Sequence, residues 1–187
     1  MPKTIFIDCE TTGFDPDKCG VFQIAGIVDI NGKTIDEINI FSGLFDNDLI
    51  MPEAFEKNGS SLEAINQMQP PFKAFLQFTK FLKKHVDQYN KVEKFIAVGY
   101  NSDFDNRVLR RWFNQNGNKF FGSWFWNPWI DVMNLAMYTL QDRRYEIENF
   151  KLPTVAAFVG LALKEENLHD AMYDIKLTRD LYYELTK

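Results

Sequence analysis

Lys3-Thr4-Ile5-Phe6-Ile7-Asp8-Cys9-Glu10-Thr11-Thr12-Gly13 is the stretch on which the fold turns. A short apolar run closed by Thr-Thr-Gly reads as a buried strand that ends in acid. Side chains of an extended chain alternate between faces, so Asp8 and Glu10 point the same way and share one small patch. A solitary Asp-x-Glu at a strand end is ordinarily just solvated. What gives this one weight is the acid found further along.

Val21 to Ile30 is a second strand and Thr34 to Phe41 a third with cleaner alternation, joined by Asn31-Gly32 as a tight hairpin. An antiparallel meander of three strands therefore opens the fold. An irregular stretch through Met51-Pro52 follows. Ser60-Ser61-Leu62-Glu63 then has the pattern of a capping box that starts a short helix, stopped by Pro70-Pro71. Those prolines open a longer helix. Phe72, Phe75, Phe78 or Thr79, Leu82 and Val86 recur at helical spacing on its inner face, with Lys73, Lys80, Lys83 and Lys84 solvated on the others.

Lys94 to Tyr100 lies between two helices and suits a buried parallel strand. In the following Asn101-Ser102-Asp103-Phe104-Asp105, Ser102 or Asp103 caps a helix running to about Gly117. Helical period separates the two acids. Asp105, Val108, Leu109 and Trp112 form one inward face, whereas Asp103 falls with Arg107 and Arg110 on the polar side. A cap accounts for Asp103 and leaves Asp105 unexplained.

Phe120 to Ile130 is dense in aromatic residues, either core filler or a stacking platform for unpaired bases. Helices over Asp131 to Leu140 and Leu152 to Leu161 come next, the second with Pro153 in its first turn, and Arg143-Arg144 between them reads as solvated charge. The last helix, about Asp170 to Leu185, turns Ala171, Ile175, Thr178, Leu181 or Tyr182, and Leu185 inward. Asp174 borders that stripe, and His169 sits in the loop just before it.

With 187 residues, 45% of them hydrophobic and 25% charged, the chain has the makings of one globular domain over 1–187. No run of 18 apolar residues is present and the first strand starts without a basic, apolar leader, so a cytoplasmic, membrane-free protein is expected. Cys9 and Cys19 form neither a disulfide framework nor a metal-ligand spacing. The net charge of −5 and pI of about 5.1 argue against a broad basic surface that coats nucleic acid. They leave open an enzyme that grips a few nucleotides, because bound cations reverse the field that a phosphate meets.

Three distant segments thus each place acid where burial or a turn disfavours it: Asp8 with Glu10, Asp105, and Asp174. Crowded carboxylates resist ionising together, so such a cluster calls for cations. Oxygen ligands suit hard divalent ions, and the lack of a His/Cys cluster disfavours zinc. Two such ions, roughly 4 Å apart, activate water and stabilise a leaving oxygen in phosphodiester cleavage, with a histidine to take the water's proton.

The order Asp8-x-Glu10-Thr11-Thr12-Gly13, Asn101-x-x-Phe104-Asp105 and His169-x-x-x-x-Asp174 closely resembles the three exonuclease motifs of the DnaQ-like family, in its DEDDh branch. The likeness runs almost the length of the chain. It implies an α/β fold of ribonuclease H-like type, with a mixed five-stranded sheet flanked by helices. It also implies 3′-to-5′ exonuclease activity that releases nucleoside 5′-monophosphates from single-stranded DNA or RNA ends. By the same resemblance Asp8, Glu10, Asp105 and Asp174 hold two Mg²⁺ or Mn²⁺ ions and His169 is the general base. The backbone from Glu10 through Thr11 to Thr12 would meet the terminal 3′-hydroxyl, and Asn101 also falls at the substrate end. Phe14 takes the place of an apolar wedge against the last bases, or else simply closes the turn.

Two features depart from the family pattern. Gln23 stands where many relatives carry Glu, which bears on how the second strand supports the metal site and removes no ligand. The Trp-rich 124–129 stretch is not part of the family pattern and reads as a substrate grip, a partner surface or a homodimer contact. Arg107, Arg110 and Arg111 are either phosphate contacts or solvated charge. The rival to a stand-alone nuclease is a proofreading or accessory subunit that acts mainly through a polymerase or other protein partner.

Overall fold

The computed structural model of the chain describes residues 3–164, 166 and 168–187. The expectation of no leader ahead of the first strand concerns Met1 and Pro2 and lies outside them. The apolar run at the start forms β1 (Lys3–Thr11), and Val21–Ile30 and Lys33–Phe41 form β2 and β3. Asn31 and Gly32 take φ of 54° and 73°, the left-handed pair that a two-residue hairpin turn requires. β2 lies antiparallel to both β1 and β3, as the meander predicts.

β4 (Phe95–Gly99) joins the other side of β1 in parallel, pairing Lys3 with Phe95 and Phe6 with Val98. A two-residue strand, β5 (Ile130–Asp131), adds to β4 and completes a mixed sheet in the order β3-β2-β1-β4-β5. β1 is therefore central. Alternation along it divides the interior into two cores. Ile5, Ile7 and Cys9 pack with Phe75, Phe78, Trp112 and Phe113 from α3 (Pro71–Lys83) and α4 (Ser102–Gln115). Phe6 faces Val132 and Ala136 of α5 (Val132–Thr139), Val155 of α6 (Leu152–Phe158), and Ala171, Ile175 and Leu181 of α7 (Ala171–Leu185). Asp8 and Glu10 share Phe6's parity, so they emerge on the side of α7.

Local signals explain most departures from the expected elements. Met51-Pro52 opens a helix, α1 (Pro52–Asn58), rather than an irregular stretch: Pro52 supplies the fixed φ of a first turn and Gly59, at φ 65°, ends it. The short helix α2 (Leu62–Asn66) is capped one residue later than the Ser60 box, the Ser61 hydroxyl accepting from the Ala64 N–H. Asn101 at φ 58° precedes α4, so Ser102 and Asp103 lie within its first turn instead of capping it. Phe72 is exposed, and Ala74, Phe75, Phe78, Thr79, Phe81 and Leu82 make the inner face of α3. α6 stops at Phe158, short of Leu161, where Gly160 takes φ 88°.

The aromatic stretch resolves as core. Phe121, Trp124, Phe125 and Trp129 are buried, the rings of Phe113 and Phe121 lying 5.1 Å apart, while Phe120 and Trp126 stay exposed. Among the described residues, no helix is long and apolar enough to cross a membrane.

One polar lock ties α7 to the sheet. The buried carboxylate of Asp29 accepts from Arg179 Nε at 2.7 Å, the Tyr183 hydroxyl at 2.9 Å and the Thr34 hydroxyl at 3.0 Å. Removing one member of a buried charged network strands the others. Asp29→Ala should therefore cost about 3 kcal/mol in urea unfolding, discounted from the fully buried range because Arg179 is partly exposed.

Candidate active site

The catalytic candidates gather at the carboxyl ends of the parallel pair β1 and β4, where open α/β sheets place their ligand crevices. Asp8 and Glu10, two apart on β1, meet Asp174 from the first turn of α7. Each of the three offers one carboxylate oxygen, and these oxygens lie within 4.8 Å of one another. Asp105 stands outside that trio. It is buried on α4, and its Oδ1 accepts the Cys9 N–H at 3.1 Å, approaching β1 from the opposite face of the sheet. Asp103 is solvent-exposed and sits 3.8 Å from Arg107, as the helical period predicts.

Electrostatics mark these acids as unusual. Burial first, then the charges of Asp174 and Asp170, push Asp8 up to about 8 from 3.8. Burial raises Asp174 to about 6, opposed by the His169 N–H and assisted by Asp170. Asp105 rises well above the carboxylate range through burial and then the charge of Asp8. Burial is the cause common to all three and the largest in each, and crowded negative charge adds to it.

Asp174 Oδ1 is buried with no hydrogen-bond partner among the described residues, while its Oδ2 accepts the His169 N–H at 3.3 Å. An unpartnered buried carboxylate oxygen, beside two more oxygens at close range, is the donor set that a hard divalent cation takes. The site fits a metal ion.

A pocket of about 490 Å³ opens at Asp8 and Asp174, and Thr11, Phe14, Asn101 and His169 line it with them. His169 is exposed at φ 69°. Phe14 is 48% exposed on the rim. Thr12 does not line this pocket. It is fully buried; its N–H donates to Gly20, its carbonyl accepts from Met51, and its hydroxyl bonds both Leu49 and Gly20. Its place is structural, holding the turn after β1 against the 42–51 connection.

The arginines of α4 are engaged within the chain. Arg111 pairs with the buried Asp48 at 2.7 Å, Arg107 pairs with Asp17, and Arg110 covers the Phe121 ring at 4.8 Å. Arg111 is thereby a structural tie, not a phosphate contact. Residues to which sequence reasoning assigned no role also belong to the site, Phe104 having entered only as part of a motif. Phe104 and Tyr100 line the pocket, the latter with its hydroxyl donating to the Phe150 carbonyl at 2.6 Å. Asp170 supplies charge next to Asp8 and Asp174, and its only sequence signal was its position as a helix cap.

Gln23 explains its own departure from the family pattern. Its amide Nε2 donates to Asp170 Oδ2 and to Asn39 Oδ1, each at 3.0 Å. Glu at this position would set carboxylate against carboxylate.

A model of the RNase_T family, described as Exonuclease, matches residues 5–182. The DNA polymerase III PolC-type proteins of Thermotoga petrophila and Pediococcus pentosaceus are each 25% identical to the chain, over 95% and 97% of it, but over only 11% of their own length. The crystal structure of E. coli Exonuclease I in complex with a dT13 oligonucleotide superposes with a TM-score of 0.77 at 21% identity, covering 100% of this chain and 41% of that one. Exonuclease I from Methylocaldum szegediense gives 0.77 at 20% identity, with 100% and 40% covered. The chain spans about a tenth of the polymerase relatives and two-fifths of the Exonuclease I chains. Those structures share its mixed five-stranded sheet, and the family match spans nearly all of the sequence, from β1 to α7. The chain belongs to the RNase_T exonuclease family, within the DnaQ-like group of the ribonuclease H-like superfamily that its motifs resemble.

Proposed function

We propose that residues 1–187 act as one exonuclease domain, hydrolysing single-stranded nucleic acid from the 3′ end and releasing nucleoside 5′-monophosphates. The observation that carries this reading is the trio Asp8, Glu10 and Asp174, with its orphaned carboxylate oxygen, two of whose members, Asp8 and Asp174, line a pocket together with His169. Asp8, Glu10 and Asp174, joined by Asp105, whose charge acts on Asp8 from α4, would hold two Mg²⁺ or Mn²⁺ ions. Such ions supply water activation and charge stabilisation at the leaving oxygen.

The chain's own residues do the rest. His169, at the solvent side of the pocket, takes the proton from the attacking water. Phe14 presents a ring on the rim against which a terminal base stacks. Thr11 and Asn101 flank the terminal sugar. Single-stranded DNA is the favoured substrate because the fold neighbour Exonuclease I is described with a dT13 oligonucleotide. A cytoplasmic setting accords with a reducing environment for Cys9 and Cys19, both buried free thiols.

A second reading draws on the PolC-type relatives: a proofreading module working on the product of an associated polymerase. One assay separates the two. Purified protein is incubated with 5′-labelled single-stranded DNA and RNA in Mg²⁺, Mn²⁺ or chelator. Stepwise shortening from the 3′ end that chelator stops is the expected result. No metal-dependent shortening of either substrate would sink the enzyme reading. Activity seen only with a polymerase present would promote its rival.

The role given to Asp105 makes a narrower prediction. Asp105→Ala should lower turnover by about 10²-fold or more, in the range for removing a charge-stabilising group. Asp103→Ala should stay within about twofold, as expected for an exposed ion pair. The opposite ranking in the same labelled-strand assay would overturn the helical-face assignment.

A further inference from the structure

The base assigned to His169 sits on an unusual support. It is a non-glycine residue in left-handed conformation, immediately before α7, and its own N–H reaches back to Asp174. The next residue, Asp170, does two jobs with one carboxylate. Oδ1 accepts the Tyr173 N–H and caps the helix, while Oδ2 accepts from Gln23, a buried residue of β2 that lies opposite Glu10 in the strand register. Gln23 is held from its other side by Asn39 of β3. A continuous polar chain, Asn39–Gln23–Asp170, thus runs from the sheet edge to the residue beside the histidine.

Simple capping of α7 needs only the Asp170 Oδ1 bond. The Gln23 bond is additional, partly buried, and directed at the loop that carries the base. We propose that Gln23 and Asp170 are a matched pair of positioning residues, through which β2 fixes His169 for the reaction. This rests on the exonuclease reading of the same site. The match is chemical. Only an uncharged donor at 23 satisfies the carboxylate at 170 without adding charge beside Asp8 and Asp174.

The pair is tested by a double-mutant cycle. Gln23→Glu faces two carboxylates across 3.0 Å of the present contact, and they must part. Movement of the loop should lower kcat on single-stranded DNA by about 10-fold to 100-fold, the cost of a misplaced catalytic group. KM should stay within about twofold, because the binding rim is untouched. Mn²⁺ affinity by calorimetry should hold or tighten, since negative charge has been added near the ligands. A general collapse of the site would instead weaken turnover and metal binding together.

Asp170→Asn keeps a good cap and should lower kcat by about threefold, far less than displacement of the loop would. Gln23→Glu combined with Asp170→Asn restores a donor–acceptor pair with the roles exchanged, and kcat should return to within about threefold of the parent, a departure from additivity that marks direct coupling. If Gln23→Glu fails to fold by circular dichroism, Gln23→Met, of similar size and uncharged, takes its place, with an expected kcat loss of about tenfold. An active parent with an equally active Gln23→Glu (or, should that variant not fold, Gln23→Met) would overturn the pairing alone, as would a double variant whose losses simply multiply. An inactive parent would overturn the exonuclease reading and the pairing with it.

Discussion

Asp8→Asn should give a folded protein that shortens single-stranded DNA at least about 10³-fold more slowly than the parent. The Lewis-acid contribution of a bound metal is worth several kcal/mol, and each 1.36 kcal/mol is tenfold in rate. Asn keeps the volume and hydrogen-bonding outline of Asp while removing the charge that holds a cation. The same substitution should raise stability in chelator at alkaline pH. Asp8 carries a folded-state pKa of about 8 against 3.8 for the ordinary group. Between those values the folded chain retains a proton that the unfolded chain releases, so its stability falls as pH rises from about 4 to about 8 and is level beyond. Asp174, raised to about 6, adds a loss of the same sign between about 4 and 6.

Thermal melts of the parent in chelator should accordingly drop from about pH 5 to about pH 8, with a shallower drop in the Asp8→Asn variant. Mn²⁺ at about pH 8 should raise the parent's Tm by mass action and the variant's far less. Equal Mn²⁺ shifts in both proteins, or undiminished turnover in the variant, would remove Asp8 from the metal site.

The elements that were legible in the sequence are those whose signal is local and repeated. The strand and hairpin from Val21 to Phe41 carry alternation and a two-residue turn whose left-handed φ values only Asn, Asp or Gly adopt readily. On α4, period alone separated Asp105 from Asp103, and burial of one and exposure of the other follow it. α1 was hidden because seven residues hold too little periodicity, although Pro52 and Gly59 were its start and stop signals. β5, at two residues, has no period at all, and the fifth strand was foreseen only through the family resemblance.

In the site, sequence offered the acids but not their meeting. Asp8 and Asp174 are brought together by the register of β1 and the packing of α7 on Phe6 and Ala25, which no local pattern encodes. The Gln23 to Asp170 bond spans 147 positions and was equally invisible. The burial of Thr12 was invisible too, because a Thr-Thr-Gly turn has the same appearance whether or not its hydroxyls bond, as here, the neighbouring chain.

His169→Asn should lower kcat by about 10²-fold to 10⁴-fold, the usual worth of a general base, while Mn²⁺ affinity stays within a few-fold of the parent. The choice of Asn follows from the backbone. His169 holds φ 69°, a region that Asn tolerates well and most other side chains do not. The N–H bond from residue 169 to Asp174 Oδ2 belongs to the main chain and survives the change. The imidazole is then the only chemical group removed. His169→Ala serves as the control on geometry. It removes the same ring but places a less tolerant residue in the left-handed region, so its Tm should fall below that of the Asn variant. Similar rates for Asn and Ala, with different Tm values, would assign the loss to the missing base. An Asn variant within about tenfold of the parent would show that the proton leaves by another route, and His169 would be left as a residue of the pocket wall.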